Sequence, residues 1–156
     1  MDAETLMRLA IAQAQASIAA GQTPVGCAIA IGDQVIAANH NRVLATTDIT
    51  AHAEMVTIRE ACTRLSRIHL EGAVVASTLE PCPMCMAALH WARVDTVYYG
   101  ATIADSTAVG FNELRIPAAD VIRLGGSNIK LTGGILRREC LAVFEQSDTG
   151  RRPATY

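Results

Sequence analysis

His52, Glu54, Cys82 and Cys85 are the residues of this chain whose types and spacing could do chemistry. One imidazole and two thiols make a set of three zinc ligands. Tetrahedral Zn²⁺ held by three protein groups keeps its fourth position open to water, which separates a hydrolytic centre from a closed structural one. Glu54 is not needed as a ligand, and a carboxylate beside an activated water can carry protons.

The spacing has a physical logic. Cys82 and Cys85 are three apart, so on the first turn of a helix their sulfurs point the same way. The alanine-rich run 84–93 favours that helix, and Pro81 and Pro83 suit its start, where missing N–H groups cost little. The positive end of the helix favours thiolate. His52 and Glu54 are two apart, which on a regular helix would put them on nearly opposite faces, so they require an irregular first turn. Thr50 is the expected N-cap, with Met55, Ile58, Cys62 and Leu65 as the buried stripe behind it. Spacing alone does not decide whether His52 and Glu54 face one pocket. Taken alone, Cys82 and Cys85 read as well as a redox pair or half of a structural zinc site as they do as ligands of a catalytic one. The histidine-x-glutamate at a helix start favours the catalytic reading over both.

Cys27, Cys62 and Cys140 lack such a context and are expected to be small buried hydrophobes. His69 and His90 are expected at the surface or in packing roles. His40 stays open because it adjoins Asn41, itself a candidate for substrate binding.

The elements that must position these groups are legible in outline. The 156 residues suit one domain with a sizeable core, and with 51% apolar but only 4% aromatic residues that core must be aliphatic. No apolar run reaches the length of a membrane span. Asp2 and Glu4 break the pattern of a signal peptide, and five cysteines without disulfide spacing fit a reducing compartment, so a cytoplasmic protein is expected. The net charge is −2, with twelve arginines and one lysine, which gives no strong electrostatic footprint for RNA.

Met7, Ile11, Ala14 and Ile18 predict a first helix ended by Gly21, and 25–31 and 34–38 predict strands around a Gly32-Asp33 hairpin turn. Further strands are expected at 73–77, 96–99 and 128–131, with a last helix carrying Leu136, Cys140, Val143 and Phe144. Alternating helices and apolar strands imply an α/β sheet covered on both faces. The segment 101–126 is long for a connection, so a short helix at 118–124 with a functional loop before it is expected. Residues 1–146 read as one domain and 147–156 as a tail.

The chain resembles the cytidine deaminase superfamily, in particular the branch of guanine deaminases, guanosine deaminases, fungal-type cytosine deaminases and bacterial tRNA adenosine deaminases. The resemblance runs from Pro24-Val25-Gly26 through Thr50-Ala51-His52-Ala53-Glu54 and Glu80-Pro81-Cys82-Pro83-Met84-Cys85 to the helix of Arg137 and Phe144. It implies a three-layer α/β/α fold with a five-stranded mixed sheet, one catalytic Zn²⁺ per subunit and a homodimer. Asn41 stands where relatives carry an asparagine that bonds the substrate base. The resemblance also makes the Ala53 backbone N–H a donor to a substrate oxygen.

Gly110-Phe111-Asn112-Glu113 looks like the glycine-phenylalanine-acid-acid element of guanine deaminases, whose second acid contacts the purine. Asn112 replaces the first acid and Glu113 retains the second. A carboxylate can accept from both the ring N1–H and the exocyclic amine of guanine. The tRNA enzymes usually carry a lysine in this region, and 104–110 has none. The expectation is therefore deamination of a guanine-type base, with Glu54 carrying protons from water to the ring nitrogen and the leaving amine. Deamination of tRNA wobble adenosine, a cytosine or triazine base, and a non-enzymatic zinc module remain as alternatives.

Overall fold

The structure is a computed structural model that describes residues 1–147, so 148–156 of the expected tail lie outside the described residues. Helix α1 (Ala3–Ala19) starts where the Asp2 carboxylate accepts the Thr5 N–H at 2.9 Å. Strands β1 (Gly26–Ile31) and β2 (Gln34–His40) form the expected hairpin, and Gly32 takes the left-handed turn position at φ 58°. A short helix α2 (Val43–Thr46) precedes α3 (Ala53–Leu65), β3 (Ala73–Leu79), α4 (Pro83–Trp91) and β4 (Thr96–Ala101). The segment beyond holds α5 (Ile103–Ala108) and α6 (Ala118–Gly125), followed by β5 (Lys130–Thr132) and α7 (Arg137–Ser147). The α6 helix was expected; α2 and α5 were not. Leu136 precedes the last helix, in a left-handed conformation, instead of lying within it.

The sheet order is β2-β1-β3-β4-β5. β1 runs antiparallel to both neighbours, and β3, β4 and β5 are parallel, giving the expected five-stranded mixed sheet. Helices α1 and α7 pack one face, and α3 packs the other beside α4, which in turn meets α6. Cover on both faces explains why β1 is buried at all but its last residue. No helix among the described residues is long and apolar enough to cross a membrane.

The buried face of α1 is Leu6, Met7, Ala10, Ala14 and Ser17, with the expected Ile11 and Ile18 only half-buried. The reason lies in the sheet beneath. A Cβ on Gly26 would run into the Ala10 carbonyl and the Ala14 nitrogen, so helix and strand backbones touch there and only small side chains fit. Gly100 plays the same part under α7, where a Cβ would strike the Cys140 side chain. On α3 the buried residues are Ala53, Glu54, Thr57 and Ala61, while Met55, Ile58, Cys62 and Leu65 lie half-buried along its flanks. Cys27 and Cys140 are buried as expected; Cys62 is not fully so.

Candidate active site

Two helix starts meet at one end of the sheet. α3 begins after His52, not after Thr50, whose hydroxyl bonds the Asp48 carboxylate at 2.7 Å instead. His52 is therefore the N-cap, extended at φ −61° and ψ 157°, and Glu54 is the second helical residue. The change of backbone conformation between them lets two side chains two residues apart face the same cavity. α4 repeats the device: Cys82 is an extended N-cap at φ −64° and ψ 167°, Pro83 fills the first helical position, and Cys85 lies one turn on. An N-cap and the third helical residue are the pair that ordinarily face each other in capping.

The His52 Nδ1 lies 3.8 Å from Cys82 Sγ and 3.6 Å from Cys85 Sγ. The ligand atoms of His52, Cys82 and Cys85 all fall within 4.8 Å of one another, positioned to bind one metal ion. Two sulfurs and an imidazole suit zinc, and three protein ligands leave one position of its tetrahedron for water. The hydrogen bond from Cys85, joined by that of His52, outweighs burial and holds the Cys82 thiol at about 4, while Cys85 keeps its proton far above the usual thiol range. The low pKa of Cys82 favours the thiolate that a metal needs, and binding a cation releases the protons that the two thiols still hold.

Glu54 is 3% exposed. Its Oε1 accepts from the Ser77 hydroxyl at 2.8 Å, and its Oε2 lies 3.4 Å from Cys85 Sγ. Burial pushes its carboxyl above the ordinary range, against the pull of His52. Ser77 was not singled out by sequence, because a serine inside an apolar strand carries no motif. Its position opposite Cys27 on β1 aims it at α3.

The cavity in front of this cluster has a volume of about 320 Å³, near the lower end of the range of about 300–1,000 Å³ typical of small-molecule sites. Asn41, Ala53 and Glu113 all line it with His52, Glu54 and Cys82, so the candidate site residues come together within one chain. Asn41 is 2% exposed, and its Oδ1 accepts from the Val43 N–H at 3.0 Å. Ala53 is the first residue of α3, where backbone N–H groups have no partner within the helix. Glu113 is held by the Ser106 hydroxyl of α5 at 3.1 Å, and burial raises its pKa despite that bond. Its neighbour Phe111 packs edge-on against Phe144 of α7, with ring centres 5.8 Å apart. Ile49 and Leu114, both exposed, also line the cavity, as does the buried Glu80. His40, left open by the sequence, is not among the lining residues; its Nδ1 lies 2.8 Å from the Asn41 carbonyl.

Known proteins share this arrangement. Residues 1–101 match the cytidine and deoxycytidylate deaminase zinc-binding region. A guanine deaminase of Bacillus subtilis is 37% identical over 114 residues, which cover 72% of this chain and 73% of that protein. A tRNA-specific adenosine deaminase of Agrobacterium fabrum is 42% identical over 95 residues, 61% of this chain and 62% of that protein. The solved structure of a guanine deaminase from Nitrosomonas europaea has a TM-score of 0.87 at 28% identity, covering 95% of this chain and 85% of its own. The chain belongs to the cytidine and deoxycytidylate deaminase zinc-binding family and is a zinc-dependent deaminase of nucleobases or nucleosides.

Proposed function

We propose that the chain deaminates a guanine-type purine base, converting guanine and water to xanthine and ammonia. The observation that carries this reading is the cavity lining: Glu113 faces the metal cluster, and no lysine or arginine lines the cavity among the described residues. Three carboxylates, those of Glu54, Glu80 and Glu113, disfavour a phosphate, and that of Glu113 suits a ligand rich in N–H donors. Guanine presents such donors side by side, and leaving them unpaired on burial would be costly.

Zinc, when bound, supplies a water activated to attack at neutral pH. Glu54 takes the proton of that water, delivers it to the ring nitrogen beside C2 and then assists departure of the amine. Ser77 fixes one oxygen of Glu54 for this exchange. Val43 orients the Asn41 amide, whose NH₂ group donates to the acceptor edge of the base. The Ala53 N–H donates to a substrate oxygen, and Glu113 accepts from the amine and its neighbouring ring N–H.

A second reading, deamination of adenosine at the tRNA wobble position, is favoured by the similarity to the Agrobacterium fabrum enzyme. Ammonia release measured against guanine, guanosine, adenine, cytosine, isocytosine, ammeline and a wobble-adenosine stem-loop separates the two. Guanine or an analogue with its donor pattern should lead, and Glu113→Gln should cost that substrate most, because the amide has one acceptor where the carboxylate has two. Action on the stem-loop alone overturns the guanine reading. Preference for cytosine with indifference to Glu113 removes the argument from Glu113.

We also infer a homodimer in the cytoplasm, where the metal-binding thiols stay reduced. Trp91 and Leu124, 76% and 73% exposed on the neighbouring helices α4 and α6, support an interface there. Light scattering at micromolar concentration tests it, and a stable, active monomer refutes it.

A further inference from the structure

Glu80 follows β3 and stands two positions before Cys82, yet it belongs to neither the metal cluster nor the proton path. It is 7% exposed, and both of its carboxylate oxygens accept backbone N–H groups from elsewhere in the chain. Oε2 accepts from Ile103, the first residue of α5, at 3.0 Å. Oε1 accepts from Ala118, the first residue of α6, at 2.8 Å. Its own N–H is bonded to the Ala101 carbonyl at 2.8 Å.

Between those two amides runs the segment that supplies Phe111, Asn112, Glu113 and Leu114 to the cavity wall. The chain leaves the Glu80 carboxylate at Ile103 and returns to it at Ala118, the closed form of a loop whose ends are tied together. Among the described residues the other side-chain hydrogen bonds and the ring contact of this loop are internal to it or reach α7: Ser106 holds Glu113, Arg137 holds Asp105, and Phe111 meets Phe144. Glu80 is the hydrogen-bonded link from both ends of the loop to the strand that leads into Cys82.

We propose that Glu80 is a positioning residue that clamps the segment 103–118 to the metal-ligand end of β3 and so sets the distance between the metal cluster and the Glu113 wall. The consequence for substrate recognition rests on the reading of Glu113 given above. The clamp itself does not. A carboxylate is required because both partners are donors; an amide matches one N–H and turns its own NH₂ toward the other.

Glu80→Gln and Glu80→Asp test the clamp, with hydrogen exchange of the backbone amides as the primary readout. Both variants should retain about one zinc per subunit, as three-ligand sites do. Both should lose exchange protection within 103–118 while β1 and β3 stay protected. In the unmutated protein, the Ile103 and Ala118 amides should share one opening free energy, because one group holds both; this holds as a test even if neither variant folds. With guanine, kcat/KM should fall about 10- to 100-fold, the worth of one hydrogen bond to a charged group, and mainly through KM. Combined with Glu113→Gln, the loss from Glu80→Gln should shrink, because the group it positions is already impaired. Unchanged protection in 103–118, different opening energies for the two amides, or loss of zinc overturns the clamp. Lost protection with fully additive kinetic effects supports the clamp and refutes Glu113 as the substrate reader.

Discussion

Replacing Glu54 with glutamine should move activity and stability in opposite directions. The glutamine carbonyl can still accept from Ser77, whose hydroxyl lies 2.8 Å from the Glu54 oxygen, so the side chain keeps its place. What it loses is the proton. General acid–base catalysis contributes about 10²–10⁴ in rate, equal to about 2.7–5.4 kcal/mol of barrier, and turnover should fall by that factor. The sign of the stability effect follows from burial, which raises the folded-state pKa of Glu54 above its ordinary value of 4.5. Between that value and the raised one the folded chain holds a proton that the unfolded chain has lost. Stability therefore declines as pH rises through the window, and above it the ionised carboxylate is a standing cost. An amide carries no such cost. The chelated variant should accordingly unfold at the same or higher urea concentration than the chelated parent at neutral pH, and should bind the same zinc. An ammonia-coupled assay, metal analysis and urea titration measure the three. Near-parental turnover at full zinc content would falsify the assignment of the proton carrier, and a lower urea midpoint would refute the reasoning from burial.

Cys82→Ala and Cys85→Ala should each lose zinc and activity together, and full zinc retention in the double variant contradicts the ligand set. Gly26→Ala drives a methyl into the backbone of α1 and should cost about 1–3 kcal/mol or more, read as a lower melting temperature with unchanged metal stoichiometry. Asp105 accepts from the Thr102 N–H and hydroxyl and from Arg137, bonds that outweigh its burial and hold its pKa below 3.8. Its stabilisation is complete above that unfolded value and is lost as pH falls through the folded one. Asp105→Asn should therefore cost about 0.2–1 kcal/mol at neutral pH, the usual worth of a partly exposed ion pair such as that with Arg137. In chelated protein the gap to the parent should close in acid, and a gap that stays constant with pH counts against the carboxylate.

The chemistry of this chain was more legible than its packing. His52, Glu54, Cys82 and Cys85 stand in short motifs whose spacing carries their meaning, and the strands announced themselves as apolar runs between turns. The face of α1 was half misread: Met7 and Ala14 are buried as expected, but periodicity put Ile11 and Ile18 beside them in place of Leu6, Ala10 and Ser17, whereas the close approach at Gly26 selects small residues. Only the fold brings that strand beneath that helix. Thr50 has the chemistry of a cap but spends it on Asp48. Ser77 and Glu80 stayed silent for a related reason: their partners are 23 and 38 residues away, as in the bonds to Glu54 and Ala118, and no local pattern records such pairings.

The two helix starts carry a last consequence. His52 and Cys82 occupy the positions where serine, threonine or aspartate would close a helix by itself, and neither side chain caps its own helix. One zinc ion gripping both residues would pin the starts of α3 and α4 to each other, a cross-link between positions 30 residues apart in the chain. Loading with zinc would then stabilise the fold as well as arm the site, because a cross-link that forms only in the folded chain adds its binding free energy to folding.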